Sequence, residues 1–147
     1  MKRMLFAAAL ATFGAAAFAQ TPATAPGVPA TKAPAGAAVY LISPKDGATV
    51  GREVTVRFGL KGMGVAPAGV AKEHTGHHHL LVDAPDLPLA GQPIPSDAHH
   101  MHFGGGQTQT VLQLAPGTHT LQLELGDANH VPFDPPVVSK RITIHVK

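Results

Sequence analysis

Hydrophobic and polar positions alternate along this chain in short runs. From Glu53 to Leu60, Val54, Val56, Phe58 and Leu60 share one parity, and Thr55, Arg57 and Gly59 the other. An extended chain points successive side chains to opposite faces, so this run predicts a half-buried strand. The period recurs at 108–114, where Thr110, Leu112 and Leu114 oppose Gln109, Val111 and Gln113. At 119–125, His119, Leu121, Leu123 and Leu125 oppose Thr120, Gln122 and Glu124. At 140–146, Ile142, Ile144 and Val146 alternate with Arg141, Thr143 and His145.

Three shorter runs complete the pattern. Val39 to Ile42 is an apolar run stopped by Pro44 and Asp46-Gly47, which is turn chemistry. His77 to Asp83 puts His78, Leu80 and Val82 on one face and His77, His79, Leu81 and Asp83 on the other. Met101-His102-Phe103 reads as a short edge strand. Residues 61–76 and 84–98, punctuated by Gly and Pro, read as long loops, which in a compact domain are functional or mobile.

No run after residue 38 keeps a helical period. About seven short strands with Gly/Pro turns predict an all-β fold, an antiparallel immunoglobulin-like β-sandwich. A small barrel is the alternative closure. The Cys-Trp-Cys signature of true immunoglobulin domains is missing, since the chain has neither residue.

Upstream of the strands the composition changes twice. Lys2 and Arg3 precede an apolar run from Leu5 to Phe18, and Ala17-Phe18-Ala19 offers small residues where a signal peptidase reads. Residues 1–19 are therefore expected to be a signal peptide, cleaved before Gln20, with a periplasmic or secreted product. The run is shorter than the roughly 20 residues of a spanning helix, so no membrane span is expected after cleavage. Residues 20–37, rich in Pro, Ala and Thr, are expected to form a disordered linker, a frayed terminus or a spacer. The folded domain is expected over 38–147.

Cleavage alters the charge balance. Losing Lys2 and Arg3 takes Lys+Arg from 11 to 9, equal to the 9 Asp+Glu. That neutrality excludes the basic footprint of a nucleic-acid-binding domain. The lack of cysteine excludes disulfides, thiol nucleophiles and Cys-based zinc sites.

The remaining chemistry lies in histidine. Seven of the ten fall between His74 and His102. His77 and His79 are two apart, so one strand face carries both, and His100 and His102 repeat the spacing. Four imidazoles from two such pairs suit zinc or copper. Asp97, Met101 and His130 could add to or orient the set, as could Glu73 and Asp83; Met101 would suit copper(I), being a soft thioether. The competing reading has these rings donating to loop carbonyls, since two long loops leave many backbone groups in need of partners. His119, in line with Leu121 and Leu123, reads as a buried, hydrogen-bonded core residue.

No catalytic constellation is visible. Ser43, Ser96 and Ser139 are the only serines, and none lies in Gly-x-Ser-x-Gly. Gly104-Gly105-Gly106-Gln107-Thr108 lacks the ending of a phosphate loop and reads as a turn or bulge. Asp127, Asn129 and Asp134 are not spaced as a calcium loop.

Several segments carry a resemblance: Val39 to Gly47, Gly59 to Gly69, Gly76 to Asp83, His102 to Thr108, Leu114 to Leu121, and Asn129-His130-Val131-Pro132. Together they resemble the domain-of-unknown-function 4399 family of small exported bacterial proteins, over nearly all of residues 39–146. The resemblance implies an exported β-sandwich and no particular activity. Two classes of function follow: an exported domain binding copper or zinc through clustered histidines, or a non-catalytic envelope module with a protein partner, whose histidines are structural or respond to pH.

Overall fold

The computed structural model describes residues 29–147. The expected signal peptide and residues 20–28 of the expected linker lie outside the described residues. Among the described residues there are nine strands and no helix, and none of them forms a helix long and apolar enough to cross a membrane.

The alternating runs form the strands expected of them. They are β1 (Ala38–Ser43), β3 (Glu53–Lys61), β5 (Thr75–Val82), β6 (His100–His102), β7 (Gln109–Gln113), β8 (Gly117–Gly126) and β9 (Ile142–Val146). Two two-residue strands, β2 (Thr49–Val50) and β4 (Gly64–Val65), lie in stretches too short to show a period. They make the two parallel pairings, on β9 and β5; the other strand pairings are antiparallel.

The strands form two sheets. One has the order β1-β3-β7; the other runs β2-β9-β8-β5-β4, with β6 also on β5. Val39, Val54, Val56, Phe58 and Leu112 from the first sheet meet Leu80, Leu121, Leu123, Leu125 and Ile144 from the second in one buried core. Each such side chain contributes about 1.5–3 kcal/mol when fully buried. This is the β-sandwich that the alternation implied.

The second sheet is unusual at β5. Every residue from Gly76 to Val82 is buried, so both faces of the strand are covered. His78, Leu80 and Val82 face the sandwich core, where the His78 ring packs on Phe58 with centroids 5.2 Å apart. The opposite face carries His77, His79 and Leu81 and lies under loops rather than under the other sheet. This second cover is what creates a site.

Part of the expected linker is ordered. Ala33 N–H donates to Asp134 O (2.9 Å), and Asp134 N–H donates to Thr31 O (2.9 Å). Lys32 pairs with the Asp134 carboxylate, and Ala33 and Ala37 pack against the core. Composition weighs side-chain apolarity, whereas this stretch is held chiefly through its backbone groups.

Candidate metal centre

Strand register assembles the site. His79 lies directly opposite His102 on β6 and opposite Glu124 on β8, while His77 lies opposite Gly126. Directly opposed residues of an antiparallel pair share a face. One face therefore collects His77 and His79 from the middle strand, His102 from one side and Glu124 from the other.

His130 arrives from the loop after β8. Asp127 Oδ1 accepts the N–H groups of Asn129 (2.8 Å) and Val131 (3.0 Å), and Asp127 O accepts His130 N–H (2.9 Å). This turn holds His130 at φ 67°, a region that non-glycine residues enter rarely. His130 O accepts Ile94 N–H (2.8 Å), which ties the 83–99 loop over the same face.

The four imidazoles cluster. Centroid separations are 4.9 Å for His77–His79, 5.0 Å for His77–His102, 5.1 Å for His79–His102 and 4.7 Å for His102–His130. His130 stands 5.0 Å from His77 and 6.2 Å from His79. One ring nitrogen from each of His77, His79 and His102 lies within 4.8 Å of the others, and the Nε2 atoms of His77 and His79 are 3.0 Å apart. Four nitrogens placed 2.0–2.1 Å from one ion in a tetrahedral shell sit roughly 3.3 Å from each other. The cluster thus stands close to a ligand shell, with His130 as its outermost ring.

Two glycines make the space. A Cβ on Gly126 would lie 2.9 Å from His79 Nε2, and a Cβ on Gly104 would lie 2.3 Å from His102 Cε1. Any side chain at either position would displace a ring. The glycine run after His102 and the glycine ending β8 are therefore fitted to the histidines.

The electrostatics are those of a buried neutral cluster. Burial, then the neighbouring His102 and His130 rings, push His77 down to about 4. Burial, then His77, His102 and His130, push His79 down to about 3. His102 is lowered by burial and by His130. His78, on the core side, is pushed down to about 4 by burial, with the backbone of Gln107 acting the other way. Glu124 moves in the opposite sense, up to about 7, because burial penalises its charge. At neutral pH His77, His78 and His79 are uncharged, the form of imidazole that binds a metal ion.

Hydrogen bonding leaves the cluster unfinished. His77 Nδ1, His79 Nδ1 and Glu124 Oε2 are buried without a hydrogen-bond partner, as are both ring nitrogens of His78 on the opposite, core-facing side. Buried polar atoms normally find partners, so each orphan calls for an account. The donor set, the spacing and the glycine cradle together fit a transition metal.

The other candidates are placed elsewhere. His100 Nδ1 bonds Asp97 Oδ1 (2.8 Å), and the same oxygen accepts the N–H groups of His99 and His100. That pair caps a loop and leaves His100 outside the close group. Met101 lies opposite Leu80 and packs against the core, away from the rings. Asp127 is committed to its turn and to the Thr31 hydroxyl (2.6 Å). His119 is partly buried: Nδ1 meets Asp83 Oδ2 (2.7 Å), and Nε2 donates to Ala115 O (2.9 Å). Glu124 escaped sequence reasoning because it reads as an ordinary polar position on an alternating strand. Only the β5–β8 register puts it beside His79.

Comparisons with known proteins add family and little else. The fibronectin(III)-like modules of Clostridium thermocellum CbhA are similar at 14% identity and TM-score 0.33, covering 74% of this chain and 92% of theirs. No curated protein matches the chain significantly. A family model described as a domain of unknown function, DUF4399, matches residues 56–147, a span that holds His77, His79, His102, His130 and Glu124. The chain belongs to the DUF4399 family.

Proposed function

We propose that this is an exported domain that binds a single copper or zinc ion through His77, His79 and His102, with His130 closing the shell. One observation carries the reading: three imidazole nitrogens within 4.8 Å of each other, with the inner rings' Nδ1 atoms unpartnered. Rings serving only to fix loops would each be paired with a carbonyl or carboxylate. His99, His100 and His119 behave in that way, with bonds to Val82 O, Asp97 and Asp83. The clustered rings do not. The loop-fixing rings thus differ from the clustered set, while His78, on the core side, is packed against Phe58 with neither ring nitrogen partnered.

With Met101 turned to the core and no thiol present, the set favours Cu(II) or Zn(II) over Cu(I). Export rests on the leader pattern at 1–19. The envelope-module alternative draws on the outer face of the three-stranded sheet, where Tyr40, Ile42 and Val111 are exposed.

Titration of tag-free, metal-stripped protein with Zn(II) and Cu(II) tests the proposal. One equivalent should bind to the intact protein, and a His77→Ala/His79→Ala variant should bind none. Equal uptake by both, or none by either, would overturn it.

A further inference from the structure

Two carboxylates are buried among the described residues, Asp127 and Glu124. Asp127 is fully engaged: it accepts from Thr31, Asn129 and Val131. Glu124 is 1% exposed and its Oε2 has no partner. A buried carboxylate without donors is among the most costly groups a fold can hold. An apolar residue would serve the sheet better at that position, so packing does not account for it.

Its neighbour has the matching defect. His79 is directly opposite Glu124 in the β5–β8 pair, so both side chains lie on the same face. His79 is also 1% exposed, and its Nδ1 lacks a partner. The other nitrogen, Nε2, is turned into the cluster, 3.0 Å from His77 Nε2. An imidazole that holds an ion through Nε2 carries its proton on Nδ1. That N–H is normally given to a carboxylate, carbonyl or water, which fixes the tautomer and the ring's orientation.

Building on the metal-centre reading above, we infer that Glu124 is the positioning residue of that centre and accepts the His79 Nδ1–H when metal is bound. One hydrogen bond then satisfies both orphans. The carboxylate also brings negative charge to a divalent ion otherwise surrounded by neutral rings. His77 has no such partner on β8, because Gly126 is the residue opposite it. His79 is thus the ring held most firmly, and it anchors the shell.

The test compares intact protein with Glu124→Leu and Glu124→Gln variants by Zn(II) calorimetry and by nitrogen-15 NMR of the zinc-loaded histidines. Intact protein should show a slowly exchanging, downfield His79 Nδ1–H. The Leu variant should lose that signal and bind zinc 10–100-fold more weakly. Its metal-free melting temperature should equal or exceed that of the intact protein. The Gln variant keeps one acceptor oxygen, so its affinity should fall in between and its Nδ1–H should move upfield. It carries the test alone if the Leu variant folds poorly. Zinc binding by the intact protein with unchanged affinity and an unshifted proton in the variants overturns the role of Glu124 and leaves the centre standing. Binding of neither Zn(II) nor Cu(II) by the intact protein overturns the centre itself, and this role with it.

Discussion

Adding Zn(II) to about a thousand times its dissociation constant should raise the melting temperature by roughly 15 °C. A ligand that binds only the native state stabilises it by about 4 kcal/mol at that excess, and a domain of this size gains roughly 4 °C per kcal/mol. The effect should depend on particular rings. His102 is exposed at the rim of the cluster, so His102→Ala removes a ligand at little cost to the core. Its thermal shift should collapse to a few degrees. His100→Ala, two residues away, removes a ring engaged by Asp97 and should leave the shift intact. Differential scanning calorimetry of the three proteins with and without zinc decides the matter. Equal shifts in all three would place the metal elsewhere.

Acidification should destabilise the metal-free protein steeply. His77, His78 and His79 have folded-state values of about 4, 4 and 3, below an unfolded value near 6.5. Their contribution is complete above about pH 6.5 and is lost as pH falls toward those folded values, because the unfolded chain takes up protons that the native state refuses. Between pH 7 and 5 this costs on the order of 2 kcal/mol per ring. Glu124 opposes the trend. Its folded value is raised to about 7 from 4.5, so it favours the native state more at pH 5 than at pH 7. That offsets about one ring, since each pKa unit is worth 1.36 kcal/mol. His119 also opposes the trend: its bond to Asp83 raises it, so its contribution is fully present below about pH 6.5 and fades as pH rises, while Asp83, whose burial is outweighed by His119 and the Thr120 N–H, stays lowered and acts only at more acid pH. Urea unfolding at pH 7, 6 and 5 should show a net loss of a few kcal/mol, and a steeper loss in Glu124→Leu. A flat profile would mean that the rings are protonated in the folded state.

The strands were legible because alternation reports local geometry. The runs at 53–60, 108–114 and 119–125 became β3, β7 and β8 with ends shifted by a residue or two. The histidine pair on β5 was legible for the same reason, since parity alone places His77 and His79 on one face. What parity does not supply is register. It made His100 and His102 equivalent, whereas loop capping by Asp97 takes one and the cluster takes the other. It left Glu124 as a solvated position, although loops cover that face. His130 carried no period, and its place follows from the Asp127 turn. The ordering of Thr31 to Ala33 depended on backbone partners on a distant loop, which composition does not reveal.

The most direct measurement is zinc K-edge X-ray absorption on protein loaded with one equivalent. A first shell of three or four nitrogens at about 2.0–2.1 Å, with imidazole multiple scattering, is expected, and one fewer imidazole in His102→Ala. An oxygen-dominated shell without imidazole scattering, or an identical spectrum from His102→Ala, would contradict a metal centre built from His77, His79 and His102.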